Sequence, residues 1–394
     1  MRICIVHDEL YPHRGADCIV VINTAAALGR SGAEVTLATP RLWRGHQSAE
    51  AICEHYGVRP SFRLVRLPSW PPPSRRLRWE KLAHGLLGPL YAALQGFDLI
   101  HSRELVPLLA AQVAGLPWSF ETYRRHAEEK PWLPPLTRRL GLERAVAAVA
   151  HTPAAAADLA EVGFDPDAVL VARPGIDPER FVPRLETATA RRSCGLPVEG
   201  PIVGYAGNLH RQKGVGDVID LAAQAPATHF LIVGGHPGEV REVQALLDAR
   251  GLTNVTLIGN RPPADVARYL YATDVLFVTA IFNNTFAGSL PALLPLRILP
   301  GTPLKIYDYL AAGRPIIAAD QPITRDLLRH EHNALLVPPR DAAAAARALQ
   351  RLLAEPDLAA RLAENARIEA QQYTWEARGR QMLEFFERRL AQRR

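Results

Sequence analysis

Residues 301–318, GTPLKIYDYLAAGRPIIA, constrain this chain more than any other stretch, because both ends of a short helix are written into them. Thr302 can accept a bond from a first-turn amide. Pro303 suits the first helical position, where its missing N–H costs nothing, and Gly313 supplies a left-handed stop. A strand, Pro315 to Ala319, follows at once. Lys305 and Asp308 stand three residues apart, so they share a face near the helix N-terminus, where free amides and the helix dipole favour an anion. Two readings stand: a place for a phosphate and a neighbouring hydroxyl, or an amphipathic helix that packs Leu304, Tyr307, Leu310 and Ala311 and leaves its charges in water.

At 394 residues the chain is long for one domain, and two lobes of roughly 150 to 200 residues each are expected. Its 48% hydrophobic and 22% charged residues are ordinary for a globular protein. A net charge of +6 and a pI near 9.3 favour anionic partners: phosphates, an anionic lipid surface or nucleic acid. No stacking platform or known module supports nucleic acid. Cys4, Cys18, Cys53 and Cys194 are scattered, which argues against a disulfide framework and a zinc site and fits a reducing cytoplasm. The chain runs directly into a strand, Arg2 to Val6, without the pattern of a secretory leader, and no apolar run is long enough to span a bilayer. Membrane contact is therefore expected to be peripheral.

Arg2–Val6, a helix from about Asp17 to Arg30 and a strand Glu34–Ala38 read as a β-α-β unit opening a parallel sheet. The first loop lacks G-x-G-x-x-G, and no P-loop signature is present. Gly15 is either a turn glycine or a point where backbone approaches a ligand at a helix start. Residues 68–94 join basic and aromatic residues on a helix-like segment interrupted by Gly85, Gly88 and Pro89. This is a solvated loop and helix, or a contact with an anionic membrane or lipid-linked acceptor through 70–82. His101, Arg103, Glu121, Tyr123, Arg124 and His126 follow strands of a parallel sheet, the edge at which such sheets bind ligands. In the second half, Ile202–Ala206 runs into Gly207, Asn208, Arg211, Lys213 and Gly214, a glycine turn with cations directly before a helix, which is an anion cradle. The segment 279–300 is longer than a typical connection.

The stretch at 301–318 resembles the S-P-L-K-x-x-E-Y-x-A-x-G-x-P segment of glycosyltransferase family 4, whose members use nucleotide sugars and have the GT-B fold. Residues 207–214 are similar to that family's G-R-L-x-x-x-K-G loop, with Asn208 in the arginine position. Residues 173–181, RPGIDPERF, are similar to its N-G-V-D-x-x-x-F. Gly15-Ala16 stands where a double glycine is common, and Tyr123 where a histidine is common, with His126 three residues on. Pro300 falls at the first of two glutamates usually eight residues apart, Asp308 at the second.

The resemblance implies an α/β protein with two Rossmann-like parallel-sheet lobes facing a central cleft. Residues 1–182 would bind the acceptor, 183–200 link the lobes and 201–372 bind the nucleotide sugar. The C-terminal helix, 373–394, would cross back onto the first lobe. It implies transfer of a sugar, with retention, from a UDP- or GDP-sugar to a hydroxyl of a saccharide or lipid-linked acceptor, without a metal or other cofactor. Gly15, Asn208, Lys213, Thr302, Leu304, Lys305 and Asp308 would bind the donor, and His126, Lys213 and Arg211 would serve catalysis. The location implied is cytoplasmic, at the inner face of the membrane for a lipid-linked acceptor. The departures leave a rival: a catalytically silent module of the same fold that binds nucleotide sugar or anionic lipid.

Overall fold

A strand buried on both faces must be apolar throughout, and the continuous runs Ile3–Val6, Ala147–Ala150 and Val275–Val278 meet that requirement. The structure, a computed structural model, describes residues 1–13, 15–41, 47–68, 79–126, 141, 145–210, 213–280 and 303–393. It divides into two units, Met1–Gly175 with Trp375–Arg394, and Ile176–Thr374.

The first unit holds strands β1 (Arg2–Val6), β2 (Glu34–Pro40), β3 (Arg63–Leu67), β4 (Leu99–Ser102), β5 (Trp118–Thr122), β6 (Ala147–Ala150) and β7 (Val169–Val171). All pair in parallel, in the order β3-β2-β1-β4-β5-β6-β7. The strand order reverses between β1 and β4, the position at which open parallel sheets leave a ligand crevice. The helix Trp375–Ala391 packs along Ala16–Arg30 in this unit, where a Cβ on Gly379 would fall 2.5 Å from the Ala27 carbonyl carbon. Met382, Leu383, Phe385 and Phe386 enter the same core as Ile3 and Ile5.

The helix Trp79–Gln95 runs uninterrupted through Gly85, Gly88 and Pro89, against the expectation that these residues break it. Close packing is the reason: a Cβ on Gly85 would stand 2.7 Å from Val106, and one on Gly88 would stand 2.6 Å from Val6 of β1. Tertiary contact outweighs the roughly 1 kcal/mol propensity cost of each glycine. The basic-aromatic residues 70–78 lie outside the described residues.

The second unit holds β8 (Ile202–Ala206), β9 (His229–Val233), β10 (Val255–Gly259), β11 (Val275–Val278), β12 (Ile316–Ala319) and β13 (Leu335–Val337). These are parallel in the order β10-β9-β8-β11-β12-β13, with the reversal between β8 and β11. Residues 183–200 are more than a connection. They carry the helix Thr187–Cys194, and Arg191 is buried against Asp274 and the Ala272 carbonyl. Arg184 donates to the Gly313 carbonyl at 3.1 Å.

Candidate functional site

In the second unit, β8 and β11 end side by side, so the residues after each strand share the switch point. Gly207 follows β8 with φ +147°, and its N–H donates to the Val233 carbonyl at 2.9 Å. Gly234, φ +130°, lies against it so closely that a Cβ there would sit 1.9 Å from the Gly207 oxygen. Only glycine fits either position. The buried Tyr205 donates its hydroxyl to the carbonyl oxygens of Asn208 and Lys213, at 2.9 and 3.3 Å. Thr279, just past β11, donates to the same Lys213 carbonyl at 2.7 Å. Gly214, φ +77°, then begins the helix Val215–Gln224 with no side-chain cap. The loop is thus pinned at both ends, while among the described residues no side chain caps the helix start that follows it.

The helix Leu304–Ala312 places Lys305 over this loop. Its N-cap is Pro303, one residue later than the sequence suggests, and among the described residues no side chain caps it. Thr302, the expected cap, lies outside the described residues, as does Arg211. Ile306, Tyr307, Tyr309 and Leu310 are buried, and Leu304 packs against that core. One face of the helix is core, as the amphipathic reading expects, but Lys305 and Asp308 on the other face are partly buried rather than left in water. Lys305 Nζ lies 3.7 Å from the centroid of the Tyr205 ring and would stand 3.0 Å from a Cβ on Gly207. Burial, and then the nearby Lys213 charge, lower its pKa to about 7. Partial desolvation also lowers that of Lys213, although its side chain reaches solvent. Among the described residues, no carboxylate pairs with either ammonium. Asp308, one turn on, is half-buried. Burial raises its carboxyl pKa, and the Arg180 guanidinium, 3.2 Å from Oδ1, opposes that rise.

The first unit sorts its charged residues differently. Glu121, at the end of β5, accepts from His101 Nε2 at 3.0 Å and His151 Nε2 at 2.7 Å, and pairs with Arg378 of the C-terminal helix at 2.9 Å. Burial alone would raise this carboxyl, but Arg378 and the two imidazoles hold it well below the usual range. His151 is pushed down to about 4 by burial, so it donates its N–H as a neutral ring. His101 and Glu121, expected near a ligand, are core residues, because the β4 and β5 side chains that point inward here meet the C-terminal helix.

At the β1/β4 switch, Lys81 lies 2.7 Å from both Asp8 and Glu9. His7, Asp8 and Glu104 bring potential ligand atoms within 4.8 Å of one another, with the Lys81 ammonium supplying positive charge beside them. Burial, then the Asp8 charge, raise Glu104 to about 8. Arg103 pairs with Asp17 at 3.1 Å and lies over the Tyr123 ring, which Arg124 also faces. Gly15 is the N-cap of Ala16–Arg30 with an ordinary φ of −69°, and its N–H donates to His13 Nδ1 at 3.0 Å; a Cβ there would meet only the exposed His13 ring, so the position does not demand glycine. His126 bonds the Thr122 hydroxyl at 2.9 Å and lies beside Phe120. The structure therefore gathers Asn208, Lys213 and Lys305, with Asp308 one turn on, and leaves Gly15 and His126 in the other unit. Tyr205, Thr279 and Arg180 were not legible beside the loop and Asp308; for Arg180 the sequence offered only its place in residues 173–181, RPGIDPERF.

Two Rossmann-like parallel sheets, each with its own switch point, give the chain the GT-B architecture. The chain belongs to glycosyltransferase family 4: residues 19–180 match the model described as Glycosyltransferase Family 4, and residues 186–369 match that of Glycosyl transferases group 1. A D-inositol 3-phosphate glycosyltransferase of Xylanimonas cellulosilytica is 28% identical, over 93% of this chain and 90% of its own length. Among solved structures, sucrose-phosphate synthase from Thermosynechococcus elongatus matches with TM-score 0.76 and 23% identity, covering 99% of each chain. Anabaena HepE in complex with UDP-glucose matches with TM-score 0.72 and 19% identity, over 98% of this chain and 100% of its own. Among the described residues, no helix is long and apolar enough to cross a membrane.

Proposed function

We propose that this enzyme transfers a sugar, with retention, from a UDP- or GDP-sugar to an acceptor hydroxyl in glycoconjugate or polysaccharide synthesis, with the donor on the second unit. The observation that carries this reading is the pair Lys213 and Lys305, two partly desolvated ammonium groups beside Gly207 and an uncapped helix start. Like charges held together without a carboxylate are stabilised by an anion, and a diphosphate supplies the matching charge. In the reaction the bond from the anomeric carbon to the diphosphate breaks with its electron pair on the departing oxygen. The acceptor oxygen then bonds that carbon from the same face and gives its proton to a leaving phosphate oxygen. Lys213, Lys305 and the helix dipole meet the charge that develops, the role a divalent cation has in other transferases, so no metal ion is called for. Asp308 would hold the ribose. HepE was solved with UDP-glucose, which supports a nucleotide-sugar donor.

The acceptor would bind the first unit, as a saccharide or lipid-linked saccharide at an anionic cytoplasmic membrane face. Leu82, Leu86, Leu90 and Leu94 support this: they recur every four residues on Trp79–Gln95 and are 40–76% exposed, with no charged residue after Lys81 on that helix. The chain's net charge of +6 suits anionic lipid. Sedimentation with anionic vesicles that Leu86→Glu with Leu90→Glu leaves intact would remove this part.

Calorimetry with UDP and GDP tests the donor site. One nucleotide is expected to bind in the micromolar range, and Lys213→Ala and Lys305→Ala each to weaken it tenfold or more, about 1.4 kcal/mol. Binding indifferent to both substitutions defeats the assignment.

A further inference from the structure

Arg180 lies in the short turn Pro178–Phe181 and holds two groups that the chain places far apart. Its Nη1 donates to Asp308 Oδ1 at 3.2 Å, and its Nη2 to the Pro263 carbonyl. Pro263 begins the turn Pro263–Asp265 that leads into the helix Val266–Tyr271. The guanidinium is itself fixed: its side chain is 14% exposed, and it lies 5.7 Å from the Phe181 ring, which packs edge-on against Tyr271. One oxygen of Asp308 is thereby engaged, and among the described residues no protein donor reaches the other.

We propose that Arg180 is a positioning residue for the nucleoside half of the donor: it orients the Asp308 carboxylate toward a ribose diol and ties it to the Pro263 turn. This rests on the donor-site reading above. A vicinal diol offers two O–H donors, and only an ionised, oriented carboxylate accepts both well. Burial favours the protonated acid, which has one fewer acceptor position, and the guanidinium opposes that shift. A flexible ammonium would supply the charge without the fixed fork that reaches Asp308 and Pro263 together.

The test is calorimetric binding of three ligands to the wild type, Arg180→Gln and Arg180→Lys: UDP or GDP, whichever binds more tightly; its 2′-deoxy form; and inorganic pyrophosphate. The wild type is expected to prefer the ribonucleotide by about tenfold. Arg180→Gln should lose most of that preference while binding pyrophosphate unchanged, which also shows that the variant is folded, and Arg180→Lys should recover part of it. The inference is overturned if the wild type shows no ribose preference, if Arg180→Gln keeps it, or if Arg180→Gln binds the ribonucleotide more tightly, which would make Arg180 a competitor of the ribose. If the wild type binds neither nucleotide nor pyrophosphate, the donor-site reading itself fails.

Discussion

Glu121 in the first unit and Lys305 in the second are both desolvated charges beside a parallel sheet, yet their surroundings are opposite. Glu121 is met by Arg378, His101 and His151, so its charge is answered within the protein. Lys305 has an aromatic face and another ammonium near it, so its charge is unanswered among the described residues. Two buried ions can thus have opposite roles, one in the architecture and one in the chemistry. A compensated ion specifies the fold, because removing one partner strands the other in a low dielectric. An uncompensated one is held at a cost in folding free energy and is stabilised only when a ligand arrives.

The largest effect should come from breaking the compensated side. Glu121→Gln leaves Arg378 buried without a counter-charge and should lower unfolding free energy by about 3–5 kcal/mol, measured by urea denaturation. Lys305→Met should lose the donor and yet unfold at the same urea concentration as the wild type, or a higher one, since it removes a desolvated like-charge contact. A Glu121→Gln variant within about 0.5 kcal/mol of wild type would show that Glu121 does not specify the fold.

The two sides were unequally legible. Strands such as Ile3–Val6 and Val275–Val278 announce themselves, since double-sided burial leaves an unbroken apolar run. Lys213 and Lys305 stand out in the sequence because a helix start with a cation can hold an anion, but that chemistry alone leaves a solvated amphipathic face as an equal reading; it is the resemblance of residues 301–318 and 207–214 to family segments that singles them out together with Asp308. Compensation was not legible, since it is long-range: His101 and His151 stand 20 and 30 residues from Glu121, and Arg180 stands 128 residues from Asp308. The same limit hid the helix at Trp79–Gln95, whose glycines read as breaks until Val106 and Val6 are seen against them. What local sequence conveys is the type of charge present; whether it is answered depends on the packed fold.

A smaller effect sharpens the contrast through pH. The free Lys305 titrates near 7, and a bound diphosphate favours its charged form, so binding raises its pKa. Donor affinity should then be full below pH 7 and fall several-fold between pH 7 and 9, with protons taken up on binding at pH 8. Calorimetry in buffers of different ionisation enthalpy measures that uptake directly, and Lys305→Met should abolish it. A flat profile would mean that Lys305 is not the anion's partner.

Glu104 provides the smallest effect and the sharpest test, because it is the first unit's own poorly answered charge. Burial and Asp8 raise its pKa to about 8, from an unfolded value near 4.5. For a carboxyl whose folded pKa is raised, the stability associated with the bound proton is fully present below about pH 4.5 and is lost as pH rises toward 8. Glu104→Gln keeps an acceptor for the Ser102 hydroxyl, now 3.0 Å from Glu104, and removes the charge. Taken in full, the difference between 4.5 and 8 would amount to several kcal/mol at pH 8; because the Glu104 side chain is 25% exposed and solvent screens its charge, the variant should raise the melting temperature by only a few degrees at pH 8, about 1 kcal/mol, and leave it unchanged at pH 4.5. A gain that ignores pH would show that packing, rather than unanswered charge, sets the cost at this position, and the distinction drawn from Glu121 and Lys305 would then not extend to the β1/β4 switch.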